Sequence, residues 1–147
     1  MKVVLDADIL IGALDGSDLH HSRSRQLFSG WHGQDATRLI SVVNLSEVLI
    51  EPAAQQDRLR AAREAIGALG VAVHQPSEGI GVQAARLRAR HPISLPDAYC
   101  LATASRTGGE VASFDRKVLR AAKAERIPVA ATASPKLRDG DSQADVE

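Results

Sequence analysis

Three apolar residues, Val3-Val4-Leu5, run straight into Asp6-Ala7-Asp8 and then into Ile9-Leu10-Ile11. Two of the first three are β-branched, so they read as a short strand buried on both faces, the kind found in parallel sheets covered by helices. An acidic residue does not follow such a run until the strand has left the core. Asp6 therefore marks the point where a buried strand empties into a loop. In open α/β sheets that carboxyl edge is where ligands bind.

The chain has 147 residues, 44% of them hydrophobic, which suits one domain with a proper core. Only four residues are aromatic, so the core must come from Ala, Val, Leu and Ile. No apolar run approaches the roughly 20 residues that span a bilayer, and the start lacks a signal-peptide layout. A cytoplasmic location with no membrane partner is the expectation. The single cysteine, Cys100, excludes an internal disulfide and fits a reducing compartment. The net charge of zero hides an asymmetry: residues 135 to 147 carry two basic and four acidic side chains, which leaves the body at +2. Four carboxylates committed to a metal site would leave the rest of the body at +6, compatible with a polyanionic substrate.

Along the chain, Ile9 to Leu14 reads as a short helical turn stopped near Gly16. Ser17 or Asp18 suits the cap of a second helix running to about Trp31, with Leu19, Leu27 and Phe28 as its buried residues. Leu39 to Val43 reads as a second strand. Asn44 to Glu47 has the form of a capping box opening a helix through Ile50. Leu59, Ala62, Ile66 and Leu69 have helical spacing, ended by Gly70. Val71 to Val73 reads as a third strand, and Ser77 caps a helix from Glu78 to about His91. Pro96 suits the first position of a new helix, nearly all small or apolar and so buried, which Gly108-Gly109 closes. Glu110 to Ser113 reads as a fourth strand, Arg116 to Glu125 as a helix, and Ile127 to Ala130 as a last edge strand able to tolerate Pro128. The order predicts a five-stranded parallel sheet with helices on both faces. The domain is expected over residues 1 to 134, followed by a polar, acidic, disordered tail over 135 to 147.

Asp6 and Asp115 each follow a strand, and Glu47 and Asp97 each fall in the first turn of a predicted helix that starts at the same edge. Four carboxylates thus reach one rim. Two unit charges about 4 Å apart repel by roughly 4 kcal/mol at an effective dielectric of 20, so such a cluster needs a proton or a cation. An all-oxygen set favours Mg²⁺ or Mn²⁺, ions suited to phosphodiester cleavage. Taken singly, Asp97 and Asp115 also read as helix caps, and Glu47 as the partner in its box. The joint occurrence carries the reading.

These pieces resemble PIN-domain ribonucleases, most closely the VapC-type toxins of toxin-antitoxin pairs. The matching residues are Val3-Val4-Leu5-Asp6 with Ile9-Leu10-Ile11, Ser41 through Glu47-Val48-Leu49, Leu95-Pro96-Asp97-Ala98 with Leu101-Ala102-Thr103-Ala104, and Ser113-Phe114-Asp115. The resemblance implies an αβα sandwich, Mg²⁺- or Mn²⁺-dependent cleavage of RNA by an activated water, a homodimer, and neutralisation by a VapB-like antitoxin. It implies Asp6, Glu47, Asp97 and Asp115 as the acidic site, with Asp6, Asp97 and Asp115 on the metal. Ser113 stands where a small hydroxyl steadies a metal-bound water, and Arg116 follows the last carboxylate. Where the family often has Ser or Asn two residues after the first Asp, this chain has Asp8. That residue is open between adding a ligand, acting through water and capping the following turn.

Other residues invite weaker readings. His20-His21 reads as a solvated helix face, Cys100 as a packing residue and Trp31 as partial core. The Arg triplets at 58, 60, 63 and 86, 88, 90 read as exposed faces, with phosphate or an acidic antitoxin segment as the functional alternative. Two competing functions remain. Asp6-Ala7-Asp8 copies the nucleophile and acid pair of haloacid-dehalogenase-like phosphohydrolases, although the Gly-Thr that commonly follows is Ile9-Leu10 here. The other is a non-catalytic acidic pocket, receiver-like or a PIN-fold binding module.

Overall fold

The computed structural model describes residues 1–130. The expected tail over 135 to 147, and the boundary at 134, lie outside the described residues. Four strands, β1 (Lys2–Leu5), β2 (Thr37–Ser41), β3 (Val71–His74) and β4 (Glu110–Ala112), form one parallel sheet in the order β3-β2-β1-β4. Seven α-helices connect them: α1 (Ala7–Leu14), α2 (His21–Gly33), α3 (Val42–Leu49), α4 (Gln56–Ala68), α5 (Glu78–Arg90), α6 (Leu95–Thr107) and α7 (Arg116–Ala124). A single 3-10 turn, Pro52–Ala54, precedes α4.

Strand alternation divides the core into two layers. Val3 and Leu5 face a cluster with Leu10, Phe28, Trp31, Ile40, Val48 and Ile66, whereas Val4 faces Leu87, Leu101, Val111 and Val118. Helices α1 to α4 therefore cover one face and α5 to α7 the other, the αβα arrangement expected of a parallel sheet. Val3, Val4 and Leu5 are all fully buried. Each contributes about 1.5–3 kcal/mol relative to exposure, which fixes β1 at the middle of the molecule.

The expected fifth strand is not formed. Val129 makes one isolated parallel bridge to Val111, with Val111 N–H donating to the Pro128 carbonyl and Ala130 N–H to the Val111 carbonyl, each at 2.9 Å. Pro128 has no N–H to extend a ladder, and Arg126 just before it turns the chain at φ 60°. The sheet thus has four strands.

Three helix starts also differ from expectation. Strand β2 ends at Ser41, whose hydroxyl accepts from Val43 N–H and caps α3. Val42 and Val43 are therefore helical, and Asn44 to Glu47 is not a capping box. Helix α2 begins at His21 and not near Ser17, because Asp18 accepts from His20 N–H and holds that segment in a turn. Leu19 consequently points outward at 91% exposure, whereas Leu27 and Phe28 are buried as expected. Helix α6 starts at Leu95, one residue before Pro96, with Ser94 as its cap.

Helices α1 and α2 pack at closest range around Gly12. A Cβ there would lie 2.4 Å from Ser24 Oγ, and Ser24 is fully buried. Overpacking of this kind costs about 1–3 kcal/mol. Gly12→Ala is expected to lower the urea midpoint accordingly, and adding Ser24→Ala, which removes the clashing oxygen, should recover part of the loss. Equal midpoints for Gly12→Ala and wild type would show that the two helices do not meet there.

Candidate active site

The carboxyl ends of β1 and β4 are adjacent, and Asp6 N–H donates to the Ala112 carbonyl at 2.9 Å. Both strands then turn directly into helices, each capped by its own aspartate. Asp6 Oδ1 accepts from Ala7 N–H at 2.9 Å, and Asp115 Oδ1 accepts from Lys117 N–H at 2.8 Å. Ser113 ties the two ends together. Its hydroxyl donates to Asp6 Oδ2 at 2.6 Å and accepts from Asp115 N–H at 3.0 Å. The Ser113 proton is thus committed to Asp6.

Asp8 lies one residue inside α1, and the capping bond belongs to Asp6. Its Oδ2 accepts instead from Phe114 N–H at 3.0 Å, a bond across the two strand ends. Oδ1 of Asp8 is buried without a hydrogen-bond partner.

The other two carboxylates arrive on α6 and α3. Asp97 is the third residue of α6 and closes a capping box with Ser94: Asp97 N–H donates to Ser94 Oγ and Ser94 N–H to Asp97 Oδ2, each at 3.2 Å. Glu47 lies in the second turn of α3, not its first, because that helix starts at Val42. Asn44 holds it. The Asn44 amide donates to Glu47 Oε1 at 3.3 Å and to the Pro96 carbonyl at 3.0 Å, joining α3 to the start of α6. Asn44 is fully buried, and its Oδ1 has no partner.

Three of these carboxyls are raised above their ordinary values. Burial first, then the Asp8 charge, pushes the Asp6 carboxyl up to about 7, with Asp97 adding to the rise and the Ser113 and Ala7 hydrogen bonds opposing it. Burial pushes Asp8 up to about 6, against the Phe114 hydrogen bond, with Asp115 and Asp97 adding to it. Glu47 is raised by burial and by Asp97, against the Asn44 hydrogen bond. Cys100, on the buried side of α6, is raised first by burial and then by Asp6, Asp8, Asp97 and Glu47. All four carboxylates thus act on the same buried thiol. This keeps Cys100 protonated, as befits a packing residue.

The donor set fits a hard divalent cation. All five acids offer oxygen, and Asp8 Oδ1 and Asn44 Oδ1 are buried acceptors with nothing to accept from. Among the described residues no three His, Cys, Asp or Glu side chains converge as a ready-made cage. Mg²⁺ commonly keeps several waters and takes one or two carboxylates plus substrate phosphate, so a partial set of this kind is what it uses.

Four residues here have roles that the sequence does not show. Asn44 looked like a helix cap because its position after an apolar run hid the earlier start at Ser41. His20 and His21 were read as solvated, yet both are half-buried. His21 Nδ1 donates to the Gly12 carbonyl at 2.8 Å, and the His20 ring stacks on Phe114. Trp31 was read as partial core and is fully buried, edge-on to Phe28.

A parallel sheet between helical layers, with acids gathered where β1 and β4 end, defines a class of α/β proteins with an acidic site at the sheet's carboxyl edge. The PIN domain family model matches residues 3–124, and the chain belongs to that family. A search of curated proteins gave no match. Among solved structures, a toxin-antitoxin complex from Klebsiella pneumoniae is similar at 24% identity and a TM-score of 0.66, covering 80% of this chain and 89% of that one. FitAcB from Neisseria gonorrhoeae is similar at 18% identity and a TM-score of 0.66, covering 88% and 97%. VapC20 from Mycobacterium tuberculosis, described as a sarcin-ricin loop cleaving toxin, matches at 18% identity and a TM-score of 0.65, covering 81% and 94%. At these identities the likeness is one of fold.

The raised Asp6 and Asp8 carboxyls give a signed pH dependence. Between the ordinary carboxylate value of 3.8 and the folded values of about 6 and 7, the folded state binds more protons than the unfolded state. Stability of the metal-free protein must therefore fall as pH rises through that window. Thermal melts in a chelator should show Tm dropping from pH 4.5 to 7.5. Asp6→Asn should flatten the slope, and Mg²⁺ or Mn²⁺ should restore Tm at the upper end. A Tm that rises over the window in wild type would contradict the arrangement.

Proposed function

We propose that this protein is a divalent-metal-dependent endoribonuclease acting as the toxin of a toxin-antitoxin pair in the cytoplasm. The observation that carries the reading is the gathering of Asp6, Asp8, Asp97 and Glu47 at one sheet edge, where burial and neighbouring negative charge raise the Asp6, Asp8 and Glu47 carboxyls. Asp6, Asp97 and Asp115 would hold Mg²⁺ or Mn²⁺, one or two of them directly and the rest through water, with the free Oδ1 of Asp8 as a further acceptor. When bound, such an ion orients water for in-line attack and offsets charge on the phosphoryl oxygens. The chain's own residues prepare that chemistry. Ser113 fixes the Asp6 carboxylate by its hydroxyl proton, and the same oxygen fixes the Asp115 backbone. Asn44 fixes Glu47 against the start of α6, leaving Glu47 free to take a proton at its second oxygen. Helices α1, α6 and α7 all begin at this edge, so their partial positive ends favour the anionic substrate as well as the carboxylates. Arg116 and Lys117 are exposed beside Asp115, placed to meet a phosphate.

An antitoxin partner is supported by a groove of about 950 Å³ along α1, α3 and α4, where Ile11, Leu14, Val48 and Ile50 lie among the charged Asp15, Glu47, Glu51 and Arg58. A segment lying in it would stand beside the acids. RNA as substrate and a homodimer follow from the toxin reading. The Arg triplets contribute less than their spacing suggested: Arg58 pairs with Glu51, Arg60 with Asp57 and Arg90 with Glu125. No helix among the described residues is long and apolar enough to cross a membrane.

A phosphohydrolase using Asp6 as nucleophile is disfavoured by the residues around it: Ile9-Leu10 stands where Gly-Thr commonly follows the acid pair, and Asp115 stands alone where a paired acidic motif is expected. The test is cleavage of RNA by antitoxin-free protein in Mg²⁺ or Mn²⁺. Asp6→Asn with Asp97→Asn should abolish it, and Ser113→Ala should lower it by roughly 10–100-fold, the usual effect of losing an outer-shell partner. Equal cleavage by the double variant and wild type would refute the assignment.

A further inference from the structure

Beside Asp8 the rim carries an aromatic step that the acids do not use. Phe114 lies between Ser113 and Asp115, with its N–H bound to Asp8 Oδ2 at 3.0 Å. The His20 imidazole lies flat on its ring, centroids 4.2 Å apart and planes 16° from parallel. The two residues come from opposite ends of the chain, and each is held from its own side. Phe114 is half-buried against the core below α1. His20 N–H donates to Asp18 Oδ2 at 2.9 Å, its carbonyl accepts from Ser24 N–H at 2.9 Å, and the next residue is anchored on Gly12.

The step is open: the His20 side chain is 41% exposed, with its ring stacked on Phe114 and its Nδ1 4.0 Å from Asp18 Oδ2. A flat aromatic surface facing water, next to a phosphate-hydrolysing site and flanked by exposed Arg116 and Lys117, has the two elements that bind single-stranded nucleic acid. Every base has a face that stacks, and cations follow the backbone.

We propose that the His20–Phe114 stack receives an unpaired nucleobase of the RNA next to the scissile phosphate, while Arg116 and Lys117 hold the adjoining phosphate. The inference rests on RNA being the substrate. Base and phosphate of one nucleotide are separated only by a sugar, and Phe114 adjoins Asp115 in the chain. A base on the step therefore brings its own phosphate to the carboxylates. Stacking reads shape and not hydrogen-bond pattern, so the step selects for an unpaired, splayed base over a duplex without demanding one sequence.

The test uses the full chain with single-stranded RNAs carrying 2-aminopurine at successive positions, linked by phosphorothioates to slow cleavage, in Mg²⁺. Stacking on the step quenches 2-aminopurine at one position next to the cleaved linkage. His20→Ala should remove that quenching and weaken binding about tenfold, as loss of one stacked base does. His20→Tyr, which keeps a ring on Phe114, should retain both. Circular dichroism and melting of the variants separate folding loss from loss of the step. Quenching and affinity unchanged in folded His20→Ala, with RNA still cleaved by wild type, would overturn the step and leave the nuclease reading standing. Quenching at one position, with no cleavage of the same RNA made with ordinary phosphates, would leave the step and overturn the nuclease. Wild type that binds no RNA would overturn both. An effect of His20→Ala only on binding of a protein partner would overturn the base site in favour of a peptide contact.

Discussion

Like charge, buried together, is the constraint on which this molecule turns. Asp6 is 4% exposed, yet burial, Asp8 and Asp97 all act against its ionisation. Two such charges about 4 Å apart cost roughly 4 kcal/mol at an effective dielectric of 20, a large share of a domain's net stability of about 5–15 kcal/mol. A fold keeps that arrangement only with compensation. The Ser113 hydroxyl, the Ala7 N–H and the Phe114 N–H supply part of it as hydrogen bonds to Asp6 and Asp8. The remainder falls to a proton at low pH and, on the function proposed above, to a cation at higher pH.

The topology explains why these acids meet. Strand β1 lies between β2 and β4, so the loops leaving β1 and β4 are neighbours: Ser113 bonds both Asp6 and the Asp115 N–H, and Asp8 accepts from the Phe114 N–H. Helix α6 packs across the sheet from the other layer and brings Asp97. Asn44 links α6 to α3 and so aligns Glu47 with it. The site is therefore assembled from both helical layers over one strand. Loss of the Asn44 amide would uncouple the layers at this point and would leave the Pro96 carbonyl and Glu47 without their common donor.

Much of this was legible because local chemistry and tertiary placement agree. The Val3-Val4-Leu5 run, the caps at Ser77 and Asp115, and the close of α6 at Gly108 with φ 75° all follow from residue type. The reading failed where two local signals compete. Leu39 to Val43 is a continuous apolar run, and periodicity cannot tell that Val42 and Val43 are helical; only the Ser41 hydroxyl, already bonded to Val43 N–H, decides it. That error moved Glu47 by one turn and disguised Asn44. The last strand failed for a stated reason, the missing N–H of Pro128. The His20–Phe114 stack left no trace in sequence at all, since it joins residues from the two ends of the described chain and neither belongs to a periodic face.

The central claim is that the acidic cluster is a divalent-cation site. It is tested most directly by calorimetric titration of Mn²⁺ into metal-free protein at pH 7.5 and again at pH 5.5. The account predicts binding at millimolar concentration or tighter at the higher pH. It predicts weaker binding at pH 5.5, where protons compete for Asp6 and Asp8, and loss of binding in Asp6→Asn. No binding at either pH, or equal binding by Asp6→Asn and wild type, would contradict it.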